Sequence, residues 1–203
     1  SREAKLLNSL YWHTLDKFML PLANLPKQKL ESVCEIHSRY RKAVPALSRI
    51  KGETPYQGAN GIIDYVDGYT HDGKFLLIAQ DGSTSLYPYS LRRFSGRFWA
   101  NDHVHIVKPI EDVLDYNFAY HYLRSLNFTP FVNNPTRSKL TLPLLKNIPF
   151  PVISLDEQKR IAHLLDTMLE LKEVVEKEAE LRRQQLEYYK YWLLNPDGKL
   201  ETM

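Results

Sequence analysis

The pattern of apolar and polar positions changes twice along the chain. Over residues 4–20 apolar side chains recur at three- and four-residue spacings, which predicts a short amphipathic helix that ends near Pro21 and Pro26. Its apolar positions are Leu6, Leu7, Leu10, Leu15 and Phe18. Residues 29–36, KLESVCEI, fit a strand and a helical turn equally well.

Between residues 55 and 108 the pattern shifts to short β-type runs separated by turn residues. Asp-Gly occurs at positions 67, 72 and 81, and this dipeptide between apolar runs is a strong turn signal. The segment VHIV, which begins at Val104, alternates in a way that predicts a strand with one buried face. The region is therefore expected to form a compact antiparallel or mixed sheet.

After the β region, helical spacing returns. Residues 113–126 have one apolar helical face, residues 127–153 carry five prolines and are predicted to be mainly extended, and residues 154–194 contain neither Gly nor Pro. Ser154 followed by Glu157 has the spacing of a capping box, so a helix of about 40 residues and about 60 Å is expected to begin there.

This long helix carries a seam of apolar residues that favours a partner helix. The seam is expected to pair antiparallel with its equivalent in a second copy, although a helix that lies on its own domain would explain the first half. The predicted seam residues are Ile161, Leu164, Met168, Leu171, Val175, Tyr189 and Trp192. The predicted fold is α+β: residues 1–153 form a β-rich domain with short helices, residues 154–194 the helix, and residues 195–203 a tail.

Composition and charge exclude several classes of protein. No apolar run is long enough to cross a bilayer, so a soluble, cytoplasmic protein without membrane contact is expected. Cys34 is the one cysteine and is expected to be a small buried side chain. Residues 1–155 contain 19 Lys and Arg against 13 Asp and Glu, a basic excess that permits nucleic-acid binding without proving it.

Motifs for catalysis, metals and cofactors are missing. GANG lacks both the third glycine of a dinucleotide loop and the Lys-Ser/Thr of a phosphate loop. NNPTR is not the Asn-Pro-Pro-aromatic signature of amino-methyltransferases, and Asp166, Glu170 and Lys172 lie within the long helix, where solvated charges are expected instead of a nuclease site. His103 and His105 lack a third metal ligand. A non-catalytic chain without cofactor or metal is therefore expected.

Two separated stretches resemble type I restriction-modification specificity subunits. PYQGANGIIDYVDGY, HDGKFLLIAQDGS and WANDHVHIVKP resemble the target-recognition domain of that family. LTLPLLKNIPFPVISLDEQKRIAHLLD, which leads into a helix ending LEYYKYWLL, resembles the junction with the helical spacer. The resemblance covers residues 50–194 and implies sequence-specific binding of double-stranded DNA, with modification and restriction subunits as protein partners.

Members of that family usually carry two recognition domains and two spacers, whereas this sequence has one of each. A homodimer that reads a bipartite, palindromic site is therefore expected. Base readers are predicted among polar residues of the loops, and phosphate contacts among the cations. The candidates are Gln57, Asn60, Ser83, Thr84, Ser85, Arg92, Arg93, Arg97, Asn133, Asn134, Thr136, Arg137, Ser138 and Lys139. Gly58 and Gly61 are expected to serve the turn before a strand.

Two alternatives stay open at this point. An interaction module could dock a protein through the helix and use its 13 Tyr and 3 Trp to bind something other than DNA. The chain could also be the recognition part of a larger, fused methyltransferase-nuclease.

Overall fold

The computed structural model describes residues 2–133 and 138–194. The chain divides into two compact units: residues 15–163, and a smaller unit that combines the start of the first helix up to Thr14 with the last helix from Leu164 onward. Helix α1 (Arg2–Leu22) confirms the predicted N-terminal helix and buries one stripe of side chains. The buried stripe consists of Ala4, Tyr11, Leu15, Met19 and Leu22.

The larger unit is built on a mixed six-stranded sheet. Its strands are β2 (Cys34–Ile36), β3 (Lys51–Gln57), β4 (Ile62–Val66), β5 (His71–Ala79), β6 (Leu91–Ala100) and β7 (Val104–Pro109). They lie in the order β2-β7-β5-β6-β3-β4, and all neighbours are antiparallel except β3 and β6. The β prediction for this region is confirmed.

Short elements complete the unit. They are β1 (Lys27–Lys29), α2 (Leu30–Val33), α3 (Tyr116–Ser125), α4 (Leu142–Lys146) and β8 (Pro149–Pro151). Strands β1 and β8 pair with each other, so the proline-rich segment does contribute one short strand. The ambiguous segment 29–36 contains both alternatives, since it passes from α2 directly into β2. Asp115 caps α3 by accepting hydrogen bonds from the backbone of Asn117 and Phe118.

Two local predictions were wrong. Asp72 and Gly73 do not form a turn but lie within β5, where Gly73 pairs with Gly96 of β6 and both glycines have positive φ. Strand β7 is buried on both faces rather than one, because segments outside the sheet cover the side chains that were expected to be exposed; His105, for example, contacts Leu140 and Ser38. The local alternation does not contain this information.

The core of the larger unit is an aromatic and aliphatic cluster on β5, β6 and β7. Phe98 has no exposed surface; its ring stacks on His71 with centroids 5.0 Å apart and makes edge contacts with Phe75 and Phe94 at 5.8 and 5.0 Å. Cys34 is buried as expected, and burial raises the pKa of its thiol to about 12, which keeps it protonated.

Helix α5 (Leu155–Leu194) confirms the long C-terminal helix. The hydroxyl of Ser154 accepts a hydrogen bond from the backbone of Glu157 at 3.3 Å, as a cap should. Gln158 is buried and ties this helix start to the loop before α3, because its amide accepts from the backbone of Asp115 and donates to the carbonyls of Val113 and Ile153. The Gln158 contacts fix the helix start within the larger unit.

The predicted seam of α5 is not uniform. Ile161 is buried, Met168 and Val175 are half-buried, and Leu164, Leu171, Tyr189 and Trp192 are exposed. Leu165, which the heptad assignment left out, is buried with no exposed surface. The helix thus has a covered apolar face and a second, exposed one, which we call the open face; it consists of Leu164, Leu171, Val174, Leu181, Tyr188 and Trp192.

Candidate nucleic-acid interface

Three of the candidate segments converge at one end of the sheet. We call residues 58–61, between β3 and β4, the GANG loop; residues 81–90, between β5 and β6, the serine loop; and residues 138–139 the lysine segment. Hydrogen bonds join the serine loop to both of the others. Segments that are up to 81 positions apart in sequence therefore form one surface.

Asn60 fastens the GANG loop to the serine loop. Its side-chain amide donates to the carbonyl of Gly82 at 2.8 Å, and its Oδ1 accepts from the hydroxyl of Ser90 at 2.6 Å. Since both the oxygen and the nitrogen of the amide are hydrogen-bonded, Asn60 has a structural role between the two loops in this arrangement. A base contact would have to compete with these two bonds.

Arg92 binds the backbone of the GANG loop. Its guanidinium donates to the carbonyls of Gly58 and Ala59 at 2.7 and 2.8 Å, and burial lowers its pKa. Arg92 lies on strand β6, and so do the candidates Arg93 and Arg97, although all three were expected on loops. Its position supports a scaffold role for a residue that the sequence offered as a DNA contact.

The serine loop is held by its own hydroxyl groups. Ser83 donates to the carbonyl of Ser85 at 2.7 Å and accepts from the backbone N–H of Ser90 at 2.9 Å. Ser85 donates to the carbonyl of Tyr87 at 2.9 Å. Thr84 is exposed, and its side chain has no hydrogen-bond partner in the described part of the chain. Thr84 is therefore the hydroxyl of this loop that is most available to a ligand.

Tyr89 joins the serine loop to the lysine segment. Its hydroxyl lies 3.1 Å from the carbonyls of both Ala79 and Ser138, and its ring stacks on Phe128 with centroids 4.2 Å apart. Burial raises the pKa of Tyr89, so the hydroxyl stays protonated and can donate. Lys139 follows in an exposed position, where its backbone bridges to Asn133, another exposed candidate.

Charged side chains from other segments hold the start of the serine loop. Arg41 donates to the side chain of Gln80 at 2.8 Å and to the carbonyls of Asp102 and Val104. His103 contacts Asp81, at the start of the serine loop, at 2.8 Å. The turn that begins the serine loop is therefore fixed by side chains from two other segments.

His105 anchors the strand next to the lysine segment and makes the fold sensitive to acid. Its buried Nε2 donates to the carbonyl of Leu140 at 2.8 Å, and its Nδ1 accepts from the hydroxyl of Ser38 at 3.2 Å. Because a carbonyl can only accept, Nε2 carries a proton, and in the neutral ring Nδ1 is then the nitrogen that accepts from Ser38. Burial lowers the pKa of His105 to about 4.

We expect stability to fall between about pH 6.5 and pH 4. In that range the unfolded chain takes up a proton at position 105 that the folded chain excludes, which removes up to about 3 kcal/mol as the pH decreases. Urea unfolding at several pH values checks this. His105→Gln keeps a donor for the carbonyl of Leu140 but does not titrate. The slope of its unfolding free energy against pH should therefore be smaller, by the uptake of one proton, than that of the wild-type chain. Equal slopes in the two proteins would contradict the role assigned to His105.

Other candidates lie elsewhere or are not accessible. Gln57 is 1% exposed, so its amide cannot reach a base from this position. Arg93 donates to Asn117 of α3 and lies over the ring of Tyr120. Arg97 pairs with Asp72 and belongs to another part of the sheet surface. Asn134, Thr136 and Arg137 lie outside the described residues.

Sequence reasoning missed Ser90 and Arg41, which hold the surface together. Ser90 contacts Asn60, 30 positions away, and Arg41 contacts Gln80, Asp102 and Val104, 39 to 63 positions away, so no local motif marks either residue. Within residues 2–133 and 138–194 there is no cluster of three His, Cys, Asp or Glu side chains suited to a metal ion. Among the helices searched in those same residues, none is long and apolar enough to span a membrane.

Comparison with known proteins identifies the family. The model of the type I restriction modification DNA specificity domain matches residues 12–183. The chain belongs to this family. A putative type I restriction enzyme specificity subunit of Haemophilus influenzae is 45% identical over 176 residues, which are 83% of this chain and 46% of that protein.

Solved structures of specificity subunits share the fold. The type I restriction-modification S subunit of M. genitalium has a TM-score of 0.63 at 18% identity, covering 91% of this chain and 53% of the other. The HsdS subunit of Thermoanaerobacter tengcongensis has a TM-score of 0.63 at 20% sequence identity, and the match covers 90% of this chain and 49% of that subunit. The chain thus spans about half the length of these proteins, and its α+β architecture with a long C-terminal helix is that of the specificity family.

Proposed function

We propose that the chain is a DNA-binding specificity subunit of a type I restriction-modification system, and that its β-rich unit reads one half-site of a bipartite target. The convergence of the GANG loop, the serine loop and the lysine segment on one surface carries the proposal. Thr84, Ser85 and Lys139 are exposed candidates on that surface; Asn60 is exposed as well, but its amide is engaged by Gly82 and Ser90. Hydroxyl groups can bond base edges, and a lysine can bond a phosphate.

The chain contributes recognition and not catalysis in this proposal. Methyl transfer and cleavage belong to modification and restriction subunits that dock on it. The absence of methyl-donor and nuclease motifs from the sequence supports this division of roles. The name of the matching family, which describes a DNA specificity domain, supports it as well.

A homodimer supplies the second half-site. The open face of α5 leaves Leu171 at 49% and Leu181 at 56% exposure, and a second copy packed antiparallel would cover both. Identical domains related by a twofold axis read identical half-sites, so the target is palindromic and split. A helix of about 60 Å against a DNA turn of about 34 Å suggests half-site centres roughly one to one and a half turns apart.

One observation favours protein binding by the same unit. Large apolar side chains are exposed on edge strand β4 and in the segment before β3; they are Ile62, Ile63 and Tyr65 on β4, and Leu47 and Ile50 before β3. Exposed apolar side chains in such number are typical of a protein interface. They fit docking of a partner subunit beside the DNA, or an interaction module that binds no DNA.

Duplex binding by the purified chain separates these functions. A pool of random duplexes is incubated with the chain, and the bound fraction is sequenced. We expect enrichment of a split palindrome and no methyl transfer from a supplied methyl donor without partner subunits. A chain that enriches no sequence, or that methylates DNA alone, would refute the proposal.

Lys139 tests which surface meets the DNA. Lys139→Ala should weaken binding to all duplexes by a similar factor and lower the salt slope of log K by about one unit per lost phosphate contact. Lys74→Ala, an exposed lysine on β5, is the matched control and should leave both quantities unchanged. An unchanged affinity of Lys139→Ala at low salt would remove the lysine segment from the interface.

A further inference from the structure

Two hydrogen bonds link the GANG loop to the serine loop: the amide of Asn60 donates to the carbonyl of Gly82, and the hydroxyl of Ser90 donates to Asn60. The hydroxyl of Ser90 donates to Oδ1 of Asn60 in the GANG loop at 2.6 Å, and its oxygen lies 3.0 Å from the hydroxyl oxygen of Ser83, whose proton is directed to the closer carbonyl of Ser85. The backbone N–H of Ser90 donates to Ser83, and its carbonyl accepts from Ala79 of β5. Ser90 therefore connects the sheet, the serine loop and the GANG loop at one point.

Arg92, two residues further along β6, is half-buried, and its surroundings differ from those of Arg41, which is also half-buried. Arg41 also donates to carbonyls, but it lies in the field of Asp81 and Asp102. Arg92 forms no ion pair within the described residues, and its hydrogen bonds there end on Gly58 and Ala59 of the GANG loop. A guanidinium can hold two adjacent carbonyls with its planar fork, whereas a lysine donates from one point.

We propose that Ser90 and Arg92 are positioning residues that join the GANG and serine loops into one preformed reading surface, so that sequence discrimination depends on both without either touching a base. This rests on the proposed DNA-binding function. The two residues act through Asn60, Ser83 and the loop backbone, whose exposed neighbours Thr84 and Ser85 face the ligand. Neither loop then sets specificity by itself.

The physical basis is preorganisation. Loops that are already fixed lose little conformational freedom when they bind, whereas loops released from each other must be ordered at that moment. This cost applies only to the complex in which bases are read. Non-specific binding depends on phosphate contacts and tolerates loops in several arrangements. Loss of the link should therefore reduce discrimination and leave the number of phosphate contacts unchanged.

The test uses the full chain, the duplex enriched from the random pool, and a scrambled duplex of the same composition. Ser90→Ala removes the shared hydroxyl, and Ser90→Thr keeps it as the matched control. We expect Ser90→Ala to bind the enriched duplex roughly tenfold more weakly, as expected for lost hydrogen bonds, with an unchanged affinity for the scrambled duplex and an unchanged salt slope. Ser90→Thr should restore discrimination.

Arg92→Lys distinguishes positioning from phosphate contact. If Arg92 positions the loop, lysine fails to replace it and discrimination falls while the salt slope stays the same. If Arg92 were a phosphate anchor, lysine would preserve affinity for both duplexes, and that result would overturn the inference. Amide exchange at Gly61 and Ser90 should be faster in Ser90→Ala, at an unchanged melting temperature of the sheet core.

The outcomes separate this inference from the proposed function. A wild-type chain that enriches no sequence would refute the DNA-binding function itself. A wild-type chain that discriminates while Ser90→Ala discriminates equally well would refute only the positioning role. A variant with faster loop exchange and full discrimination would also refute it, because the link would then exist without directing recognition.

Discussion

If the chain forms the proposed homodimer, the double variant Leu171→Glu, Leu181→Glu should be a monomer and should bind the proposed split palindromic duplex at least about a hundredfold more weakly. Both leucines are about half exposed on the open face of α5. Burying two new carboxylates in an apolar helix interface is strongly unfavourable, and a monomer loses the second, linked half-site. Met168, in contrast, is half-buried within the chain and is a poorer site for this test.

Sedimentation velocity measures the change of mass, and duplex titration measures the affinity. Gln184→Glu is the matched control, because it adds a carboxylate to the same stretch of helix without removing an apolar side chain. The core should be unaffected in both proteins, so their circular dichroism spectra should agree. A wild-type chain that sediments as a monomer and binds one contiguous site would exclude both the dimer and the split palindrome.

Phe98→Ala should cost about 3–5 kcal/mol of unfolding free energy, because the lost ring leaves a cavity among three aromatic neighbours. The ring has no exposed surface and contacts His71, Phe75 and Phe94. The same strand carries Arg92, so the variant should also lose sequence discrimination near its melting temperature.

Urea unfolding monitored by fluorescence checks this value. Tyr65→Ala, on edge strand β4 where the ring is half exposed, is the control and should cost less than about 1 kcal/mol. A cost below about 1 kcal/mol for Phe98→Ala would mean that this cluster does not form the core of the larger unit.

Local signals in the sequence were sufficient for the three longer helices, α1, α3 and α5, and for the β region, but not for the short helices α2 and α4. The capping serine at position 154, the absence of Gly and Pro up to residue 194, and the three- and four-residue spacing define α5 without tertiary information. The same is true of Asp81-Gly82, where glycine has φ of 64° as a turn requires. Asp72-Gly73 is the same dipeptide but lies within a strand, because both residues pair with β6. The local sequence does not contain this pairing.

The roles of the candidate residues followed from tertiary contacts. Asn60 and Arg92 belong to residue types that read DNA, and both were predicted to do so, yet their polar groups are engaged by Ser90, Gly82 and the carbonyls of Gly58 and Ala59. Gln57, at the end of β3, is buried, so its amide is not accessible to a base. A side chain's chemistry is local, whereas the groups that compete for it come from distant segments.

The sequence by itself therefore determined the class of fold, the long helix and the resemblance to the specificity family, because periodicity, caps and motifs are encoded in neighbouring residues. Only the tertiary structure decided which loops meet, which polar groups stay exposed, and which face of α5 is open. Those properties depend on pairings between residues far apart in the chain, such as Asn60 with Ser90 and Tyr89 with Ser138. Hydrogen bonds and burial across such distances are set by the packing of the whole sheet.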